Sequence, residues 1–586
     1  MTFGLGLISF GSGKDVWRKV ETRYFTVLAQ TDDREARDWA RRLEQFRISM
    51  ESLFPVDEAQ LEPVTVLIFK RQKDFNPIKP HYFSNPYELL GVFQRARGRN
   101  IIGMAMDSDE EKMAAIIFHE ATHWYFSARP HVNPTWVEEG MAEVFSTFHL
   151  DGNRAVFAGD NPGRYQTLKG YGFLFVRDVM NAPPNRVHSA DGVQAGLFYA
   201  QAWLLMNYVL VDGELGGINA LSLYLEKARS GMPLDVAFQD VFDLSYSELD
   251  QRLDRYYART RFGEMTTPAL PAETLLTGRD EEATDDDIES TQAFFLLQQG
   301  RTDEARPLLE RVLQRNPMDP RSYEGLAELA EQQGDLAGRD HYYSEAVVRG
   351  STNYLAHFYP LINRLGMFMN MEAAADSPNP MEVRKTVDAL KQTIALRPTF
   401  FQAYEAMAGL MGCIVEPEPS DRTVLEAGIE RFPGQPILVV GLAAYEMKTG
   451  RAVTAKGRLD SVLVADGDFR ITNYARKLLL RLKAQVDMVW LERSVKQGDT
   501  DQAEKFMSRL RRAPLFPDER QRVNALINIL SQQLNLDRAR RALDDHEWSM
   551  AENWLKEAAS DEMNADVATR HASLQAELQR QRPHKP

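Results

Sequence analysis

Three short runs near the start of the chain carry the β-branched, closely spaced apolar residues of strands. They are Tyr24-Phe25-Thr26-Val27-Leu28, Val64-Thr65-Val66-Leu67-Ile68-Phe69 and the NIIGMAM stretch from Asn100 to Met106. Between the first two, Ala36, Trp39, Leu43, Phe46 and Met50 recur at helical spacing, which predicts a helix over 32–54 capped from Thr31-Asp32-Asp33. A second helix is expected over 107–126. Asp107, Ser108 and Asp109 are its capping candidates, and Glu110 and Glu111 fall in its first turn, where the helix dipole favours negative charge. Further helices are expected near 198–210, 217–230 and 245–257.

The pattern then changes. Residues 266–287 hold Pro268, Pro271 and the acidic run DEEATDDD, the composition of a solvated connection. Beyond it the chain repeats itself. The run Gly300 to Ala305 (GRTDEA) is echoed 34 residues later by Gly334-Asp335-Leu336, and at that offset Leu309 maps to Tyr343 and Val312 to Ala346. A 34-residue helix–turn–helix period is the tetratricopeptide spacing. Looser copies end at Pro398 and Pro433, and another begins at Gly498-Asp499. A generic helical array is the alternative, and either one is all-helical and locally stacked. The expected organisation is a tail over 1–16, an α+β domain with its own core over 17–265, a linker over 266–287 and a TPR-like solenoid over 288–586.

Composition narrows the classes. A chain of 586 residues exceeds what one hydrophobic core organises. The net charge is −15 and no Lys/Arg-rich run occurs, so no nucleic-acid partner is expected. The single cysteine, Cys413, rules out an intrachain disulfide and a cysteine-based zinc site. No stretch reaches the roughly 20 apolar residues of a membrane span. The opening MTFGLGLISFGSG is apolar and Gly-rich but lacks the basic start of a signal peptide. A signal remnant and a free tail both stay open, as do an exported and a cytoplasmic location.

The chemistry concentrates in His119-Glu120-Ala121-Thr122-His123. Histidines four apart on a helix project to the same side, so both imidazoles can bind one Zn²⁺ while Glu120 lies beside them. Catalytic zinc takes three protein ligands and keeps a position for water. Trp136-Val137-Glu138-Glu139-Gly140-Met141-Ala142-Glu143 follows shortly, and a carboxylate on a second helix there can complete the set.

These residues resemble the gluzincin, or MA-like, zinc peptidases, and most closely bacterial members that carry tetratricopeptide repeats. The resemblance covers about residues 17–262. In that group the third ligand is a glutamate on the helix after H-E-x-x-H, often in a W-x-x-E-G-x-A setting. Carried onto this chain, the ligands of one Zn²⁺ are His119, His123 and Glu139, and Glu120 is the base for the zinc-bound water. Spacing favours Glu139 over Glu138. Glu143 lies one turn beyond Glu139 and can accept a hydrogen bond from the free ring nitrogen of His119, whereas four residues past Glu138 is Ala142.

The resemblance implies three more roles. Tyr199, in Leu197-Phe198-Tyr199-Ala200-Gln201, would stabilise the oxyanion, with His188 as the other candidate. The strand before the metal helix would lie at the sheet edge, placing Gly103, Met104 and Ala105 along an extended peptide substrate. A protein partner or substrate would bind the repeats. Two departures from the aminopeptidases stand out, a shorter His123-to-Glu139 spacing and no G-x-M-E-N-type strand, and both lean toward an endopeptidase. The rival expectation is an interaction scaffold whose zinc domain is inactive.

Overall fold

The computed structural model describes residues 16–581 except 81–89, 97, 107–108, 130–132, 185–191, 272–273, 277, 279, 370–378, 465–467, 498, 514, 516 and 560–562. The chain divides into two compact units, Met1–Ala356 and His357–Pro586.

The first unit is built on a six-stranded sheet. Its strands are β1 (Arg18–Glu21), β2 (Phe25–Ala29), β3 (Val64–Phe69), β4 (Gly91–Ala96) and β5 (Arg99–Ala105), joined by a late strand, Asp280–Glu282. The order across the sheet is β4-β5-β3-β2-β1 and then Asp280–Glu282. β2, β3 and β5 run parallel, while β4 is antiparallel to β5 and forms one edge.

Both faces of this sheet are covered, and the two-residue period of the strands decides what each side chain meets. Val27, Val66, Ile102 and Met104 pack with α1 (Asp33–Leu53) and α2 (Glu110–Phe126) in the main core. Leu28, Leu67, Ile101 and Ala105 pack in a second core against Phe294, Phe295 and Leu297 of α6 (Asp285–Leu297). Gly103 lies on this second face. A Cβ there would sit 2.7 Å from the Phe295 ring, so the glycine makes room for the aromatic.

This arrangement corrects the expectation for Gly103, Met104 and Ala105. β5 is paired on both sides, by β3 and β4, so its backbone groups are committed to the ladder and cannot take up a substrate strand. The edge next to α2 belongs to β4. Its sequence, GVFQRA, does not read as a strand because Gln94 and Arg95 break the apolar run.

Helix ends follow their capping residues. Asp32 caps α1 by accepting from Glu35 N, and Asp109 caps α2 by accepting from Glu111 N and Lys112 N. Asp107 and Ser108 lie outside the described residues. The helix expected over 198–210 begins earlier, as α5 (Gly192–Leu210).

Residues 266–287 differ from the free connection that their acidity suggests. Met265–Pro268 pairs with Arg154–Phe157 in a small second sheet, and Asp280–Glu282 pairs with β1. Thr284 and Asp287 then form a capping box that starts α6. Helices Thr302–Arg315, Pro320–Gln332 and Leu336–Val348 follow in the same unit. Gly300 and Gly334 occupy equivalent turns at φ 72° and 78°, a left-handed conformation that favours glycine and recurs at the repeat length.

Among the described residues of the second unit the only regular elements are helices, from the later part of Tyr354–Met369 to Ala565–Gln581. It holds separate apolar clusters along the chain, around Leu390 and Met407, around Leu491 and Leu530, and around Leu543 and Leu555. Local cores of this kind are what stacked helical pairs produce.

Candidate metal centre

α2 places His119 and His123 one turn apart, with their Nε2 atoms 3.2 Å from each other. The helix α3 (Thr135–Phe145) brings Glu139 to them. Its Oε2 lies 3.5 Å from Nε2 of both histidines. Among the described residues these three are the only His, Cys, Asp and Glu side chains whose ligand atoms converge in a metal-ligating group, all within 4.8 Å of one another.

The local sequence explains how α3 reaches this position. Gly140 faces α5 (Gly192–Leu210), where a Cβ would sit 2.8 Å from the Ala202 carbonyl oxygen. Glycine therefore lets α3 lie close against α5. Trp136, fully buried one turn earlier, anchors the same helix. Glu138 points elsewhere and accepts from Asn133 N at 3.2 Å, at the start of the helix.

The surroundings of the three residues are acidic, and the carboxylates are buried. Glu139 is only 6% exposed and Glu143 only 2%. Glu139 Oε2 is buried, and its polar neighbours are the two imidazole Nε2 atoms at 3.5 Å, too long for good hydrogen bonds. Two imidazoles and one carboxylate form a donor set of the kind that suits Zn²⁺, so these residues fit that ion.

The electrostatics of the cluster are those of closely paired acids and imidazoles. Burial disfavours a charged His119, but Glu139 and Glu143 outweigh it and hold the imidazole up at about 10. Burial likewise opposes ionisation of Glu139, yet His123 and His119 keep its carboxyl far below the usual range. Glu143 is also held low against its burial, by Arg164 and His119. The pocket favours positive charge between these groups.

The remaining residues surround this centre. Glu143 Oε1 stands 3.3 Å from Nδ1 of His119. Glu120 is not among the converging ligand atoms and accepts from the backbone N–H of Phe93, on edge strand β4, at 2.7 Å. Tyr199 of α5 sets its ring edge-on to His119 with centroids 6.3 Å apart. Burial, and then the carboxylates of Glu139, Glu143 and Glu120, push its phenol well above the ordinary value, so it stays protonated. His188 falls outside the described residues, as do His81 and His131. His149 is exposed and bonds the carbonyl of Thr147.

Sequence reasoning missed Arg164 and the Phe93 N–H. Arg164 belongs to α4 (Pro162–Tyr171) and grips Glu143 with two donors, Nε to Oε2 at 2.6 Å and Nη2 to Oε1 at 2.5 Å. No spacing rule connects it to Glu143, and a backbone donor leaves no trace in a residue pattern.

Comparison with known proteins bears on the repeats. The family model described as Tetratricopeptide repeat matches residues 296–351. No curated protein matches the chain. Solved structures with some likeness include YrrB, a TPR protein with an unusual peptide-binding site, at 12% identity over 32% of this chain and 90% of that one, with a TM-score of 0.24. TTC0263, a thermophilic TPR protein of Thermus thermophilus, reaches 19% identity over 33% and 99%, with a TM-score of 0.20. The P58(IPK) TPR domain reaches 12% over 51% and 100%, also with a TM-score of 0.20. Overlays this loose carry no argument, and the repeat assignment rests on the family match. Among the described residues no helix is long and apolar enough to cross a membrane.

Proposed function

We propose that residues 17–265 of the first unit form a zinc-dependent peptidase domain of the gluzincin type, and that the tetratricopeptide region binds a protein partner or substrate. The supporting observation is the convergence of two imidazole Nε2 atoms and one buried carboxylate oxygen, with a non-ligand glutamate beside them. His119, His123 and Glu139 would hold one Zn²⁺ per chain. Zinc bound there would polarise a carbonyl and lower the pKa of water toward ~7.

The chain's own groups divide the remaining work. Glu120 takes a proton from the attacking water on its carboxylate and passes it to the leaving amine. Tyr199 keeps its phenolic proton and donates it as a hydrogen bond to the developing oxyanion. Beyond the Phe93 N–H that Glu120 takes, the outer edge of β4 offers backbone groups to an extended peptide. An endopeptidase is favoured, because β4 reads GVFQRA and lacks the G-x-M-E-N pattern that recognises a free α-amino group in the resembling aminopeptidases.

A second reading has an observation of its own. The tetratricopeptide match over 296–351 favours an interaction scaffold whose zinc-binding domain does no chemistry. Hydrolysis of a general peptide substrate by wild type and by Glu120→Gln separates the two. Zinc-dependent cleavage that the substitution abolishes supports the peptidase, and zinc binding without cleavage in either protein supports the scaffold.

A further inference from the structure

We infer that Arg164 is a positioning residue of the metal centre, acting through Glu143 to fix the imidazole of His119. The inference rests on the zinc reading above and adds a residue that neither the motif nor the resemblance contains.

The geometry is a relay of three side chains from three helices. Arg164 is held at its base, because its backbone N–H donates to Asn161 Oδ1, the cap of α4, at 3.2 Å. Its guanidinium contacts both oxygens of Glu143, a bidentate arrangement that fixes the plane of the carboxylate as well as its position. One of those oxygens faces His119 Nδ1 at 3.3 Å. A carboxylate on the second ring nitrogen sets the tautomer and ring direction of a metal-binding histidine, leaving Nε2 for the metal. Rotation of Glu143 would therefore rotate the ligand.

Arg164 braces the same wall a second time. Its guanidinium carbon stands 5.4 Å from the centroid of the Tyr199 ring, whose edge meets His119.

Arg164→Lys tests this, because it keeps the charge and removes the two-pronged grip. The readout is the zinc dissociation constant by chelator competition, taken with the melting temperature of the metal-free protein. The expected result is a loss of about tenfold in zinc affinity, at the lower end of what outer partners of a metal site contribute, with little change in metal-free melting. Glu143→Gln should lose at least as much. The double substitution should bind no more weakly than Glu143→Gln alone, because Arg164 acts through that residue. Zinc binding within twofold of wild type in Arg164→Lys overturns the inference, and so do losses that multiply in the double variant. If Arg164→Lys does not fold, Glu143→Asp reads the link from the other end. One methylene shorter, it withdraws the carboxylate from His119 and Arg164, and wild-type zinc affinity there also overturns the inference. Absence of zinc from the wild type would instead defeat the zinc reading itself.

Discussion

The backbone N–H of Phe93 donates to Glu120 Oε2 at 2.7 Å, tying the edge strand of the sheet to the carboxylate beside the two histidines. Phe93 lies on β4, the outer strand of the sheet. Glu120 is thereby kept off the point where His119, His123 and Glu139 converge. A group in that place is suited to moving protons rather than to binding the metal.

Glu120→Gln should accordingly keep zinc and fold while losing peptide hydrolysis by roughly 10²–10⁴-fold. Zinc content and kcat measured on one preparation check this. Wild-type cleavage by the variant would refute the proposed proton transfer even with zinc in place.

Glu139→Gln and Tyr199→Phe should separate in the opposite sense. The first removes a charged ligand and should weaken zinc binding strongly. The second leaves all three ligands and should slow kcat by about 10²–10³-fold, the contribution of one oxyanion donor, with KM nearly unchanged. Full activity in Tyr199→Phe would remove that residue from the mechanism and send the test to His188.

The two cores of the sheet predict how truncation behaves. A chain ending at Met265 loses α6 and bares Leu28, Leu67, Phe69 and Ile101, so it should aggregate. A chain ending at Ala356 keeps that face covered and should stay monodisperse with its zinc. Size-exclusion chromatography and metal analysis distinguish the outcomes. Within the intact chain, Phe295→Ala should cost about 3–5 kcal/mol by opening a cavity over Gly103.

Glu328 gives the first unit a pH dependence of its own. Burial raises its carboxyl to about 7, against the pull of Arg99 and with the help of Glu324 and Glu331. The unfolded group titrates near 4.5. The folded state thus favours the neutral acid, and this contribution is complete below about 4.5 and is lost as pH rises through about 7. Glu328→Gln should leave stability at pH 4 unchanged and raise it at pH 8 by about 3 kcal/mol. Melting curves at the two pH values check this, and equal shifts at both would contradict it.

What the sequence disclosed follows from the range of the interactions. His119 and His123 are legible because one helical turn makes them neighbours, and Glu139 is legible because Trp136 and Gly140 mark the next helix. Arg164 is not, because its bond to Glu143 joins two helices with no shared period. The strand Asp280–Glu282 is hidden for another reason. Its side chains are exposed and acidic, so it reads as solvated chain, yet its backbone pairs with β1 and Glu281 lies directly opposite Lys19, with a salt bridge at 3.4 Å. β5 is legible as a strand but not as an inner one, since only the pairing of β4 reveals which strand lies outermost.

The most direct test of the account is the zinc content of the full chain purified after zinc-supplemented expression, beside His123→Ala. The ligand set of His119, His123 and Glu139 predicts about one zinc per chain in the wild type and loss of that zinc in the variant. Wild-type protein without zinc, or His123→Ala that retains it, would contradict the account.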